Sequence, residues 1–436
     1  MATQSPQWLA TARLLRRSGF GTTGPAVDAA VGQPNFLVAA FDADPAADQG
    51  VQATPLPAFT TPAPLPKSAG TDTRKARNRQ LSDQLNTLSA WWLHRMVAVK
   101  QPLHEKLTLL WHNHFATSAA KVRDAAMMAE QNEKLRAGAL GDFRSLAYAM
   151  LTDPAMLRWL DGQQNTSKAA NENLSREFME LFALGHGNGY TEADVREGAR
   201  ALTGWVIGKD GQAGLVAKRH DAADKTVLGM TGPLDASSFC DAVLAAPASG
   251  RFVAGRLWQQ LASDNPPSDA TLSRLVDAYG DGRDLKALTL AVLNDPEFGS
   301  QPSSVVNTPV EWTVGLVRAL NVPVADKGNT DLAMRTMKTL GQQPFYPPDV
   351  GGWPRGQAWL STAGAGIRLK AATALARKGD VSVVAQAAPA DRIDAAGYLL
   401  GIGEWTDHSA AALRPLITRP PELVAAAANT PENLTS

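Results

Sequence analysis

Two carboxylates and an amide recur at helical spacing in Asn171-Glu172-Asn173-Leu174-Ser175-Arg176-Glu177-Phe178-Met179-Glu180-Leu181-Phe182. On a helix, Leu174, Phe178 and Leu181 make an apolar stripe, and Asn173, Glu177 and Glu180 share the adjacent face at the i+4 and i+3 steps. Paired carboxylates pointing one way can act as general acid and base, or join the amide in an oxygen-rich site for a divalent metal. The competing reading is structural, with Arg176 and neighbouring arginines neutralising both glutamates in a network that fixes the helix.

Six of the seven histidines, His94, His104, His112, His114, His186 and His220, fall within a third of the chain. Imidazole is the commonest metal ligand and the side chain that titrates nearest neutrality, so such clustering points to metal or acid-base chemistry. In Trp111-His112-Asn113-His114-Phe115 the H-x-H spacing aims both rings one way on a strand. On a helix it sets them about 200° apart. The helical geometry puts His114 with Leu103, Leu107 and Leu110 and His112 beside Glu105. His114 is then either a catalytic or ligating group or a core histidine tied by a hydrogen bond.

Leu184-Gly185-His186-Gly187-Asn188-Gly189-Tyr190 breaks the carboxylate helix with three glycines, letting backbone approach a ligand closely. Thr191-Glu192-Ala193-Asp194 caps the next helix, on which Arg196 and Arg200 lie one turn apart. They can clamp an anion, or Arg196 can pair with Glu192. His220-Asp221, with Lys225 and Leu228-Gly229, forms a further polar cluster in which an aspartate could orient an imidazole, or which is simply a surface loop. Trp353 and Trp359 sit in a loop framed by proline and glycine, where they stack on a flat ligand such as a sugar or plug an interface. The plug is the expectation.

The elements that must position these residues are helices. Apolar periodicity predicts helices over residues 7–17, 83–99, 103–111, 125–135, 143–151, 171–184, 191–206, 239–244, 250–261 and 270–279, and over the alanine-rich run from 360 to about 378. Residues 41–68, rich in Ala, Pro, Asp and Thr, read as an extended surface connection. Residues 143–156 and 285–298 resemble each other as a helix stopped by Asp-Pro, since the residue before proline avoids the α region. Strand-like alternation is scarce. The expected class is mainly α, a multi-helix globular array with long irregular connections and few or no strands. Three parts are expected: residues 1–70, an N-terminal helix and wrapping segment; 71–235, a helical core with the His, Glu and Arg motifs; and 236–436, a helical subdomain with the tryptophan loop.

Composition narrows the function classes. Apolar residues make up 44% and charged residues 19% of 436, an ordinary globular balance far from disorder. Lys plus Arg and Asp plus Glu both count 42, so no net field draws the chain to nucleic acid. The single Cys240 excludes an internal disulfide and cysteine-based metal centres. No run approaches the roughly 18 apolar residues of a membrane span. Arg16-Arg17 lacks the apolar stretch of an export signal after it, which reads as cytoplasmic.

The chain resembles the bacterial family called domain of unknown function 1800. The resemblance rests on Ala12 to Gly21, Trp111 to Phe115, Asn171 to Gly189, Gly189 to Val195, Ala199-Arg200-Ala201-Leu202-Thr203-Gly204-Trp205, His220-Asp221 with Lys225, Leu228-Gly229 and Gly352-Trp353. It implies that Trp111, Asn113, His114, Asn173, Arg176, Glu177, Glu180, Gly185, Arg200, Trp205, His220, Asp221 and Lys225 occupy signature positions. It implies no activity. It does imply an envelope or secreted location and a partner encoded nearby that is similar to alkaline phosphatase.

Two functions follow as expectations. In the first, a hydrolase-type enzyme, Glu177, Glu180, His114, His220 and Asp221 do acid-base or metal-assisted chemistry on an anionic or sugar-containing substrate. Asn113, Asn173, Arg176, Arg200, Lys225, Trp111 and Trp205 bind that substrate. In the second, a non-catalytic binding or assembly protein, the same residues form a buried structural network.

Overall fold

In the computed structural model, which describes residues 3–33, 35–61, 65–300 and 305–435, the chain is mainly α. The strands among the described residues form two antiparallel pairs, Trp205–Ile207 with Ala213–Leu215 and Lys225–Val227 with Met230–Gly232. None of the described helices is long and apolar enough to cross a membrane.

The Leu103–His114 helix is the beam of the molecule. Apart from His104, all its side chains are buried. Its Leu103, Leu107, Leu110 and Trp111 enter one apolar core, shared with Phe143–Leu151, Ala236–Leu244, Pro247–Leu261 and Leu285–Asn294. Its Leu109 enters a second core, made with Thr71–Ala98, Pro309–Ala319, Lys327–Thr339, Thr362–Ala376 and Pro420–Ala427. Each large apolar side chain removed from water contributes about 1.5–3 kcal/mol, so a helix feeding both cores joins them strongly.

Glu105 on this beam is buried and fully engaged. Its carboxylate accepts from Arg136 Nε at 2.7 Å, from Arg136 Nη2 at 2.9 Å and from Trp92 Nε1 at 2.8 Å. Trp92 in turn packs edge-on to His112, with ring centroids 5.4 Å apart. Breaking such a buried pair costs about 3–5 kcal/mol, so the network fixes how the beam sits against its neighbours.

The two similar segments pair directly. Asp142 and Asp284 form an antiparallel bridge; Phe143 N–H donates to Arg283 C=O and Leu285 N–H to Gly141 C=O, both at 2.9 Å. Each aspartate also caps its own helix, accepting from Ser145 and Ala287 N–H. Asp153 and Asp295 repeat the device at the Asp-Pro stops, accepting from Met156 and Glu297 N–H.

Three sequence expectations need correction. The helix expected over 191–206 is Glu192–Ala201, and Trp205 begins a strand. Gly204 stops it with φ of +94°, and a Cβ there would lie 2.9 Å from His220 N. The connection expected to be extended over 41–68 contains the helices Pro45–Ala47 and Gln49–Ala53, because Asp44 and Asp48 cap them. Residues 62–64 of that connection lie outside the described residues. The helix expected to begin near residue 83 starts at Thr71; its first ten residues are solvent-facing and, apart from Ala76, polar, so they carry no apolar periodicity.

Candidate functional site

The Trp111-His112-Asn113-His114 motif ends the beam, and each side chain bonds to a different distant segment. Trp111 Nε1 donates to Ala139 C=O at 3.1 Å. His112 Nε2 accepts the N–H of Phe345, 233 residues away, at 3.2 Å. Asn113 Oδ1 accepts the N–H of Trp353 at 2.7 Å. His114 Nε2 donates to Phe182 C=O at 2.8 Å. Burial lowers both imidazoles to about 3, so both are neutral near pH 7; for His114, the charge of Arg256 adds to the effect. The helix places the two rings on different faces, each buried against its own partner segment. Gly352 completes the joint: at φ of +86° it brings its backbone so close that a Cβ would stand 2.4 Å from Asn113 Oδ1. Trp353 and Trp359 are buried, packed with Val306.

His220 and Asp221 are also turned inward on the chain. His220 Nδ1 lies 3.0 Å from Thr203 C=O, and Asp221 N–H donates to Thr203 Oγ1 at 2.8 Å. Arg200 Nε binds Asp221 Oδ2 and Arg200 Nη1 binds Glu197 Oε2, both at 2.7 Å. The Arg200 hydrogen bond holds the Asp221 carboxyl below its ordinary range. Lys225 is buried, donates to Ala223 C=O at 2.9 Å and is shifted down by that burial. Trp205 is half-buried in its strand, against the first core. These residues knit the Glu192–Ala201 helix to the hairpin that follows; Asp194 Oδ1 also accepts Leu228 N–H at 2.7 Å.

Arg176 forms no ion pair with Glu177 or Glu180, although its charge acts on Glu177 against the upward shift of that carboxyl. Its guanidinium binds Glu192 through both terminal nitrogens, at 2.7 and 2.8 Å, and Glu172 at 2.9 Å. Glu192 therefore pairs with Arg176 rather than with Arg196.

What remains is a smaller site. The carboxylate segment begins as the α-helix Asn173–Glu177 and widens into a π-helix over Phe178–Ala183, with Leu184 N–H reaching Met179 C=O. Single π turns of this kind recur at functional sites, because the extra residue swings side chains off the regular α face. Phe178, Met179 and Phe182 are buried beneath the turn, while Glu177 and Glu180 are half-buried above it. Glu177 has no hydrogen bond or ion pair among the described residues. Burial, then the charge of Glu180, raises its carboxyl above the ordinary range. Glu180 Oε1 is in close hydrogen-bonded contact with Nδ1 of His186, which stands exposed on the glycine loop. Tyr190 lies close enough that Glu180 adds to the upward shift that burial gives its hydroxyl. Asn173 is exposed at the start of the same segment.

The structure thus brings together Glu177, Glu180 and His186, with Asn173 on the same short segment. It leaves His114 beneath them and His220, Asp221, Arg200 and Lys225 in the adjoining hairpin network. His186 and Tyr190 escaped the sequence-based choice; a histidine framed by glycines six residues after a glutamate was the available signal. Among the described residues no three His, Cys, Asp or Glu side chains converge as a metal ion requires. A cleft of about 600 Å³ borders the glycine loop, lined by Gly187, Asn188, Gly189, Leu228 and Ala246. A larger cavity, of about 800 Å³, lies elsewhere, between Phe20, Pro102 and Arg318.

Residues 13–434 match the family described as a protein of unknown function, DUF1800, and the chain belongs to that family. No curated protein and no solved structure matches it.

Proposed function

We propose that this DUF1800 protein is a hydrolase-type enzyme whose acid and base are Glu177 and Glu180. The observation that carries the reading is the unequal environment of two neighbouring carboxylates: Glu177 has no hydrogen bond or ion pair among the described residues and is shifted up, whereas Glu180 is held by His186. Environments that separate two carboxyl groups in this way divide the roles of acid and base between them. Glu177 would donate its proton to the leaving oxygen as the scissile bond breaks. Glu180, oriented by His186, would take a proton from the attacking water, and exchange with solvent would restore both groups.

Arg176 and Arg200 each already face two carboxylates, so a neutral, hydroxyl-rich substrate such as a glycan fits better than an anion at this position. The test is hydrolysis across a panel of neutral oligosaccharides, comparing wild type with Glu177→Gln and Glu180→Gln. Loss of the acid or base is expected to cost about 100-fold or more in rate, with melting temperatures preserved. Equal turnover by the variants would refute the assignment.

The second reading, a binding or assembly protein, is favoured by one observation: most of the polar signature residues are satisfied within the chain. On that reading Glu177, Glu180 and His186 contact a partner, for which the resemblance offers an alkaline-phosphatase-like protein. The same substitutions would then weaken complex formation with no turnover to lose.

A further inference from the structure

A second polar locus lies along the Pro247–Leu261 helix. Phe252 faces the glycine loop, where a Cβ on Gly185 would fall 2.8 Å from its ring, and stands 6.2 Å from the His114 ring centre. One turn on, Arg256 has its Nε shut off from solvent and without an acceptor, and its guanidinium makes no hydrogen bond or ion pair among the described residues. At the next turn, Gln259 Oε1 accepts from Arg355 Nη1 in a short contact, which brings a second, exposed guanidinium from the tryptophan loop onto the same helix.

The two cations feel each other. Burial lowers Arg256 to about 10, and Arg355 contributes in the same direction. Asp264 is the carboxylate that acts on Arg355, but it also acts on Arg17 and so is shared between cations. In the same loop, the buried Nε1 atoms of Trp353 and Trp359 have no acceptor among the described residues. Among the described residues, donors and positive charge therefore exceed acceptors here. Keeping an unpaired guanidinium largely out of water is costly, and a planar guanidinium fork matches the oxygens of carboxylate or phosphate.

We propose that Arg256 and Arg355 form a binding site for a compact oxyanion, a phosphate or carboxylate group, entering beside the Trp353 to Trp359 loop. Exposed Arg355 receives the group and Arg256 anchors its inner end. The site does not depend on the carboxylate chemistry proposed above, and a ligand bearing such a group could carry its neutral part towards the glycine loop along Phe252.

Thermal unfolding tests this in inorganic phosphate and in acetate, with ionic strength held constant by sodium chloride. The wild type is expected to show a saturable rise in Tm with at least one of them, and which one assigns the group. Arg256→Gln and Arg355→Gln are each expected to weaken the apparent affinity at least about tenfold, as loss of a charge-assisted hydrogen bond does. Arg256→Met is expected to raise Tm in anion-free buffer by removing the unpaired charge while keeping side-chain volume. No saturable rise in the wild type, or an equal rise in Arg355→Gln, which sits on the surface and leaves the core intact, would overturn the proposal.

Discussion

Asn113 shows what the polar signature residues mostly do. Its amide oxygen holds the Trp353 N–H in a buried joint that has no room for a side chain on Gly352. Asn113→Ala leaves that N–H buried and unpaired, which is expected to cost about 1–3 kcal/mol in denaturant unfolding; an unchanged midpoint would show that the joint relaxes at no cost. Helical spacing made part of this legible, since it set His112 and His114 on different faces and raised a hydrogen-bonded core histidine as one reading. The identity of the partners was not legible, because backbone groups 233 and 240 residues away carry no signal in side-chain type. Arg176 illustrates the same gap: its ion pair with Glu192 depends on how two helices meet, whereas sequence spacing offers only partners on the same helix.

Among the elements, two deviations from regular helix shape the candidate site. The π turn over Phe178–Ala183 follows an apolar pattern that an α-helix would share, so its presence rests on tertiary packing rather than on periodicity. Gly204 was visible as part of a motif, yet the pattern ran through it and the helix was expected to continue to residue 206. The structure shows why it stops: the left-handed backbone at Gly204 lets His220 and Asp221 close onto Thr203. Gly204→Ala meets both a strained φ and a contact of 2.9 Å with His220 N, and is expected to destabilise by more than about 1 kcal/mol. Hydrogen exchange should then report local opening of residues 203–221. Unchanged protection there would mean that the hairpin does not depend on this contact. The two Asp-Pro helices were legible as similar segments, but their pairing through Asp142 and Asp284 was not, because both aspartates lie one residue before the similar stretches.

Over the whole molecule, the beam that joins the two cores carries His112 and His114, both buried and neutral. Their folded values, about 3, lie below the unfolded value of 6.5. Between those limits the unfolded chain binds more protons, so the stability present above pH 6.5 is lost as pH falls towards 3. Each ring contributes a slope of about 1.4 kcal/mol per pH unit. With both rings acting, unfolding free energy should be nearly level above pH 7 and fall by about 2.7 kcal/mol per pH unit between roughly pH 5.5 and 4.5; a flat profile there would contradict the burial. The mainly helical class and the ordinary globular composition were readable from periodicity and residue counts. The division of labour among the signature residues was not, because it depends on which polar groups the fold leaves unsatisfied. Glu177 is the sharpest case, and its pKa shift gives a signed expectation. A carboxyl raised on folding favours the native state below its unfolded pKa and loses that advantage as pH rises through the folded value. Ionised Glu177 therefore burdens the fold at neutral pH. The most direct test is the melting temperature of Glu177→Gln against wild type between pH 4 and 8. The variant is expected to be as stable or more stable near pH 7 to 8, with the difference closing towards pH 4. A loss of stability at neutral pH comparable to that of Asn113→Ala would contradict it and place Glu177 in the structural network.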